Sequence, residues 1–352
     1  MDTLTHALSG ALLARATAPE GHHAGQLTTR ARMTVGFVAA AFPDCDFVLR
    51  LFDTLTYVSL HRGVTHSIIL LPVWALLVAC LLSVLTHRRY SWQAIFGTAA
   101  LGIAIHIAGD VFTAYGTMLL MPFSSHRFAI PFTFIIDPYF TGIIAMGLAV
   151  VMIKPQKRHA AVIACLALGC YVGFQGILHS RAVTIGETYA ENHGLMEAEV
   201  HAFPQPLSPF NWKIIVSHEG DYDVAHIKLW RTQSRQVPDP ESGLLGMLGR
   251  ITASYQPVSA AAWVRRKRFG ETEFENVLAR EAWGQEIFVR FREFAAFPVL
   301  DQIEPRGRDV CVSFFDLRFT VPSLPPSLVF GLCRDNATSS WQLDDSGLFG
   351  RD

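Results

Sequence analysis

The run SIILLPVWALLVACLLSVLT at residues 67–86 contains no charged side chain over its whole length. An α-helix rises about 1.5 Å per residue, so a run of this length matches the roughly 30 Å hydrocarbon core of a bilayer. A soluble all-α core is the alternative, but such cores seldom hold so long an uncharged run. The run therefore predicts a membrane protein.

The composition of the 352-residue chain supports this prediction. Hydrophobic residues make up 51% and charged residues 17%, against roughly 25% charged in typical soluble proteins. Residues 1–180 hold 11 Lys or Arg and 7 Asp or Glu, whereas residues 181–352 hold 18 and 23. The first half is membrane-like and the second half is typical of a soluble domain. The net charge of -1 gives no overall basic field, so we expect no nucleic-acid partner.

Further apolar segments continue the membrane pattern through the first half. Three of them are long, and two are short and contain polar residues. We therefore predict a polytopic all-α membrane bundle of four to six spans within residues 1–180. The long segments are 90–109, 140–153 and 160–178, and the short ones are 4–16 and 33–42.

The second half has a different sequence pattern. Short runs rich in β-branched and aromatic residues are bounded by turn formers, which is typical of strands, and residues 273–297 read as mainly helical. We predict a soluble α+β domain at 205–352, joined by a linker at 181–204. Cys311 and Cys333 lie on candidate strands, and the sequence leaves open whether they pair. The strand candidates are 212–216, 224–230 and 310–315.

Ionisable side chains are few in the apolar half, and they lie at the ends of its segments. Such groups are costly inside a bilayer and therefore indicate function. Because successive spans alternate in direction, an up-and-down bundle brings these groups to one face of the membrane. They are His6, Asp44, Asp46, His61, His66, His106, Asp110 and Asp137.

The basic residues predict the orientation of the bundle. More of them fall on the face opposite the His/Asp groups, and the more basic face is cytoplasmic by the positive-inside rule. We therefore expect the His/Asp groups and the C-terminal domain to face outward. The opposite face holds Arg15, Arg30, Arg32, Arg88, Arg89, Lys154, Lys157 and Arg158, and the His/Asp face holds Arg50, Arg62, Arg127 and Arg181.

The His/Asp set has the chemistry of a metal centre. Imidazole and carboxylate are ligands of Zn²⁺, and Mn²⁺ or Fe²⁺ accept the same groups. His106 and Asp110 are four residues apart, so they share one face of a helix. The motifs provide ligands for one or two ions, and a two-metal site activates water and stabilises both oxygens of a displacement.

Such a centre suggests a hydrolytic mechanism. Asp44 or Asp46 would accept the proton of the attacking water, and Arg62 or Arg127 would stabilise an oxyanion or phosphate. A site at the depth of the lipid headgroups favours a phosphoester or acyl lipid as substrate. Protein partners are not indicated.

The loop between residues 111 and 137 is long enough to fold over this site. It carries His126 and ends at Asp137, and we expect both side chains to support the metal ligands. The sequence contains no P-loop and no GxSxG nucleophile motif, so neither supplies a competing site.

Each motif also has a simpler interpretation. A His and an Asp four apart are usually just part of a helix, the PDCD turn can end one, and HRGVTH can cap one. Their combination at one face favours the metal site. A transporter or channel that uses the cluster as an ion pathway remains an alternative, although transport sites usually lie at mid-membrane. A non-catalytic membrane scaffold is a second alternative.

The motifs together resemble one known family. LTHALSGALLARA at 4–16, FPDCDF at 42–47, HRGVTHS at 61–67 and HIAGDVFTAYGT at 106–117 are similar to the inner-membrane, metal-dependent hydrolases of the YdjM type. That family includes a LexA-regulated membrane protein. The resemblance is strong over residues 1–145, and the rest is similar to its longer members with a C-terminal domain. It implies hydrolysis in the inner membrane and metal binding by His6, Asp44, Asp46, His61, His66, His106 and Asp110. The all-helical His/Asp pattern is also similar, more distantly and at the level of the fold, to zinc-dependent phospholipase C and P1-type nucleases.

Overall fold

The computed structural model describes residues 2–19, 25–153, 158–236, 243–335 and 337–344. Contacts between α-carbons divide the chain into two units. The helical unit comprises Met1–Val48 and Leu60–Ile177, and the C-terminal unit comprises Leu49–Ser59 and Leu178–Asp352. Lys154 and Lys157, two of the basic residues that predict the orientation of the bundle, lie outside the described residues.

The described residues between 2 and 192 form helices that are joined by turns and connections, the longest of which is the loop at 112–137. Two 3₁₀ helices, Phe42–Leu51 and Val64–His66, interrupt the series of α-helices. The α-helices are α1 (Thr3–Ala16), α2 (Thr29–Ala41), α3 (Thr54–Leu60), α4 (Leu71–Leu85), α5 (Trp92–Val111), α6 (Pro138–Ile153) and α7 (His159–Asn192).

Two described helices, α5 and α7, are long and apolar enough to cross a membrane. A third candidate is a bent pair, Thr54–His66 with Leu71–Leu85, whose axes differ by 83°. The predicted count of four to six spans is therefore not confirmed. The physical reason is length: α1, α2, α4 and α6 have 13 to 16 residues, and at about 1.5 Å per residue such helices fall short of a roughly 30 Å core.

The uncharged run at 67–86 shows how a span can be overestimated from sequence. Ser67 Oγ donates to the carbonyl of Met121 at 2.6 Å, and it accepts from the backbone N–H of Ile69 at 3.2 Å. These bonds hold the first residues of the run in a turn. The helix α4 therefore begins only at Leu71.

Glycine contacts set the close packing of α1, α2 and α5. A Cβ atom on Gly10 would lie 2.2 Å from the carbonyl oxygen of Gly36, and one on Gly102 would lie 2.9 Å from that same oxygen. Only glycine permits such an approach between helix backbones. His6 lies four residues before Gly10 and His106 lies four residues after Gly102, so this packing also brings the two histidines together.

The C-terminal unit contains two four-stranded antiparallel sheets, as predicted for an α+β domain. The first sheet has the order β1-β2-β3-β4 and the second β5-β6-β7-β8. The strands are β1 (Glu199–Pro204), β2 (Asn211–His218), β3 (Asp221–Lys228), β4 (Trp263–Arg266), β5 (Pro298–Arg306), β6 (Asp309–Asp316), β7 (Phe330–Asp335) and β8 (Trp341–Leu343). The helices are α8 (Gly243–Ser254), α9 (Glu273–Gly284) and α10 (Val289–Phe294).

Two details of this unit answer questions that the sequence left open. Cys311 and Cys333 face each other in the β6–β7 register and form a disulfide. Residues 181–204, interpreted as a linker, instead contain the last turns of α7 and the strand β1. The apolar run ends near residue 178, but the charged residues that follow do not end a helix.

Candidate metal centre

Asp44, His66, His106 and Asp110 converge in the helical unit, and we call these four residues the inner cluster. Each offers one ligand atom, and the four atoms lie within 4.8 Å of one another. His66 Nε2 is 3.1 Å from Asp110 Oδ2, and His106 Nε2 is 3.3 Å from that same oxygen. The side chains of His66 and His106 are fully buried, so the cluster is shielded from solvent on this side.

The hydrogen bonds of the two histidines determine which ring nitrogen carries the proton. His106 Nδ1 lies 2.6 Å from the carbonyl oxygen of Ala40, so Nδ1–H is the donor. His66 Nδ1 lies 2.9 Å from the Thr65 hydroxyl, which itself donates to Asp46 Oδ2 at 3.3 Å. Both rings therefore turn an unprotonated Nε2 towards the inner cluster.

These unprotonated nitrogens test whether a metal suits the site. His66 Nε2 and His106 Nε2 lie 3.0 Å apart, with the Oδ2 atom of Asp110 beside both. With both Nε2 atoms unprotonated, all three atoms are hydrogen-bond acceptors, and they repel each other unless a proton or a metal ion lies between them. Two imidazole nitrogens with carboxylate oxygens form the donor set of zinc and related divalent metals. The residues of the inner cluster fit such an ion.

Asp110 is oriented by two donors. Its Oδ1 atom lies 3.0 Å from His6 Nε2 and 2.9 Å from Arg62 Nη2, which leaves Oδ2 directed at the inner cluster. The ring of His6 also stacks on that of His106, with centroids 3.8 Å apart. The structure thus places His6, a predicted metal ligand, as a support for Asp110 and His106.

Asp44, Asp46 and His61 form a second group, the outer cluster, whose ligand atoms also lie within 4.8 Å of one another. His61 Nδ1 is 2.9 Å from Asp46 Oδ1. The side chains of Asp44 and His61 are each 14% exposed, so this group is more open than the inner cluster. Asp44 belongs to both groups, so its carboxylate could serve as a ligand in either one.

The environment of Asp44 favours its ionised form. Burial alone would raise the pKa of Asp44, but hydrogen bonding to the carboxylate, including the bond from the Thr3 hydroxyl, outweighs this effect. The pKa of Asp44 therefore lies well below its usual range. The Thr3 hydroxyl donates to Asp44 Oδ2 at 2.6 Å, which leaves Oδ1 directed at the histidines.

Arg62 is engaged in supporting the site. Its side chain is 2% exposed, and its Nη1 atom donates to the hydroxyl of Thr113 at 2.6 Å and to the backbone carbonyl of Asp110 at 3.2 Å. The guanidinium that we predicted to stabilise an oxyanion thus pairs with Asp110 in this structure.

Arg127 supports the outer cluster through the backbone. Its Nη1 atom donates to the carbonyl oxygens of His61 and Gly116, each at 3.2 Å. The guanidinium carbons of Arg62 and Arg127 lie 4.9 and 5.5 Å from the ring centroid of Tyr115. The ring of Tyr115 therefore contacts both arginines, and it also packs edge-on against the ring of His61 with centroids 5.3 Å apart.

Comparison with known proteins shows that the region carrying both clusters matches a known family. The family model described as "YdjM inner membrane protein" matches residues 1–182, which contain every residue of both clusters. The chain belongs to the YdjM family. It is also 31% identical over 140 residues to "Uncharacterized protein YfhP" of Bacillus subtilis (strain 168), an alignment that spans 40% of this chain and 42% of that protein. No solved structure matches the chain at a significant level.

Two other predicted residues of this YdjM family member lie outside both clusters. His126 is exposed, and its ring packs edge-on against Phe128 with centroids 4.7 Å apart. Asp137 caps α6, because its Oδ1 atom accepts from the backbone N–H groups of Tyr139 and Phe140, and its Oδ2 atom accepts from the hydroxyl of Tyr171 at 2.7 Å. Capping of this kind is the ordinary role of an acidic residue that precedes a helix.

Sequence reasoning missed two groups that orient the ligands. The Thr65 hydroxyl links His66 to Asp46, and the carbonyl of Ala40 holds the His106 ring. Thr65 adjoins a candidate ligand, which is a weak signal. A backbone carbonyl has no signal in the sequence at all.

Proposed function

We propose that this protein is a membrane-bound hydrolase with a two-metal centre. The observation that carries the proposal is the approach of His66 Nε2 and His106 Nε2 to 3.0 Å, beside Asp110 Oδ2. A cation explains why three acceptors are held together in a buried place. Zinc is the preferred ion, with manganese and iron as alternatives.

The ligands divide into two positions. His66, His106 and Asp110 would hold one ion in the inner cluster, and Asp46 and His61 would hold a second in the outer cluster, with Asp44 between them. A divalent metal at such a centre supplies a water that is acidic enough to act as a nucleophile near neutral pH.

The proton acceptor is a carboxylate of the outer cluster. Asp46 is occupied, because its Oδ1 atom contacts His61 and its Oδ2 atom accepts from the backbone N–H of Arg62 and the Thr65 hydroxyl. Asp44 receives one hydroxyl donor and is partly exposed. We assign Asp44 as the general base and Asp46 as the residue that positions His61. Arg127 lies close enough to stabilise an anionic substrate once it is released from the His61 carbonyl.

The surroundings of the outer cluster favour a lipid-like substrate. Four apolar side chains within three residues of its ligands in the sequence are exposed: Phe47 (65%), Val48 (47%), Leu60 (46%) and Val64 (44%). An apolar rim beside a polar centre suits a molecule with an acyl chain and a phosphoester or acyl bond near the headgroup.

The disulfide of the C-terminal unit supports an outward orientation, because disulfides persist in oxidising compartments.

The test is hydrolysis by the full-length protein in detergent. Vesicle phospholipids and a chromogenic phosphodiester are incubated with zinc-loaded wild type, Asp44→Asn and His126→Ala. We expect product from the wild type and from the exposed control His126→Ala, and none from Asp44→Asn. Zinc or proton flux through proteoliposomes, lost in Asp44→Asn without any hydrolytic product, would instead favour the transporter.

A further inference from the structure

Most of the chain between Asp46 and His61, two ligands of the outer cluster, is grouped with the C-terminal unit. Asp46 and His61 are part of the helical unit, whereas Leu49–Ser59 is grouped with the C-terminal unit by its α-carbon contacts. We call Leu49–Ser59 the connecting segment. The two ligands therefore lie just beyond the two ends of a segment that the C-terminal unit holds.

The connecting segment has its own ordered structure. The carboxylate of Asp53 accepts from the backbone N–H of Thr56 at 2.6 Å, and its carbonyl accepts from that of Tyr57 at 3.1 Å, which begins α3. Leu55 and Val58 are 5% and 2% exposed. Buried apolar side chains on a short capped helix indicate a docked element, because so short a helix is not stable by itself.

Arg290 supplies a specific anchor for this segment. Its Nη1 atom donates to the hydroxyl of Thr56. Arg290 lies on α10, where the neighbouring Phe291 is fully buried and its ring packs against Phe330 with centroids 5.2 Å apart. The anchor is therefore attached to the aromatic core of the C-terminal unit.

The two ligands that flank the connecting segment, Asp46 and His61, are joined directly by a hydrogen bond. Asp46 accepts from His61 Nδ1 at 2.9 Å and from the backbone N–H of Arg62 at 3.2 Å. A displacement of the connecting segment would change the separation of Asp46 and His61. The inner ligands His66 and His106 do not flank this segment, so they would not be affected in the same way.

We infer that the C-terminal unit positions the outer metal ligands through the connecting segment. Arg290 and Thr56 are positioning residues in this arrangement, and Leu55 provides the apolar part of the anchor. The inference rests on the proposed two-metal centre and adds a role for the C-terminal unit: it controls whether the outer position binds its ion. The inner position keeps its ion without this control.

The experiment measures zinc binding and hydrogen exchange in full-length protein in detergent. Wild type, Arg290→Ala, Thr56→Val and Leu55→Ala are compared with Arg280→Ala, a change at an exposed arginine of α9 whose Nε atom donates to Asn276 of the same helix. We expect the three anchor variants to bind the first zinc ion as wild type does and the second about tenfold more weakly, as loss of a supporting contact usually causes. Amide exchange at residues 49–60 should become faster in the same variants. Arg280→Ala should match wild type in both measurements.

The outcomes separate this inference from the proposed function. Unchanged affinity for the second zinc, with faster exchange at 49–60, would show that the segment does not control the outer position. Unchanged exchange would show that Arg290 does not anchor it. Either result overturns the inference and leaves the two-metal centre intact. A wild type that binds one zinc ion or none overturns the two-metal centre, and the inference with it.

Discussion

Each unit of this protein buries charged groups, but the two sets differ in how their hydrogen bonds are completed. In the C-terminal unit, the ammonium of Lys213 is fully buried and lies 2.5 Å from the carbonyl of Leu317, 2.6 Å from that of Thr320 and 2.8 Å from the Thr320 hydroxyl. Three donors thus meet three acceptors. In the inner cluster, by contrast, acceptors of His66 and Asp110 face one another.

This difference distinguishes a structural group from a binding centre. A buried polar group that finds all its partners within the chain contributes to the fold and has no capacity left for a ligand. A buried set of acceptor atoms that face one another is costly unless positive charge is supplied between them. Burial alone would have marked Lys213 and His106 as equal candidates, whereas the donor and acceptor balance separates them.

The largest effect should come from removing Asp110. Asp110→Ala leaves Arg62 buried without its carboxylate, which typically costs about 3–5 kcal/mol of unfolding free energy, and it also removes a ligand. Thermal unfolding and zinc content of the purified variant measure both effects. In Asp110→Ala combined with Arg62→Met, stability should recover while zinc binding does not. Recovery of zinc binding in the double variant would contradict the assignment of Asp110 as a ligand.

Single ligand changes should separate the two metal positions. His106→Ala should lose the inner ion and, because Asp44 is shared, most of the outer one. His61→Ala should lose only the outer ion. Elemental analysis of dialysed protein gives the equivalents of zinc per chain. Equal loss in both variants would indicate one mononuclear site.

A smaller effect is expected from the hydroxyl that links the clusters. Thr65→Val removes the acceptor of His66 Nδ1–H and a donor to Asp46. Supporting contacts of this kind change metal affinity by roughly 10–100-fold, so we expect a loss of at least about tenfold by competition with a chelator. Thr65→Ser keeps the hydroxyl and should retain the affinity. Equal affinities of Thr65→Val and wild type would show that His66 is oriented by other groups.

The last prediction concerns the pH dependence of stability and Lys213. Burial lowers the pKa of Lys213 to about 7, opposed by the carboxylate of Asp316. Between about pH 7 and 10.5 the unfolded chain holds a proton that the folded protein has lost, so folding stability contributed by this group rises with pH across that range. Relative to that of Lys213→Met, the free energy of unfolding of the wild type should increase by up to about 1.4 kcal/mol per pH unit in this range. Parallel pH profiles of unfolding for the two proteins would contradict this.

Local patterns predicted the membrane character of the first half, the sheet-rich second half and the motifs that carry the cluster residues. The number of spans was harder, since hydropathy measures where apolar residues occur and not where a helix begins. Ser67 illustrates this, because its bonds to a distant loop delay the start of α4. The role of Arg62 was also beyond local patterns, since a charged side chain in a loop has several partners within reach, whereas the helix cap at Asp137 follows an ordinary local pattern.

The sequence by itself determined the chemistry available to this protein: imidazoles and carboxylates at the ends of apolar segments, in a chain of the YdjM family. Tertiary structure alone decided which atoms meet. The close approach of helices at Gly10, Gly36 and Gly102 juxtaposes His6 and His106, and the pairing of Asp110 with Arg62 selects the oxygen that faces the cluster. These contacts join residues far apart in the chain. Helical periodicity relates only neighbours within a few turns, so it carries no information about them.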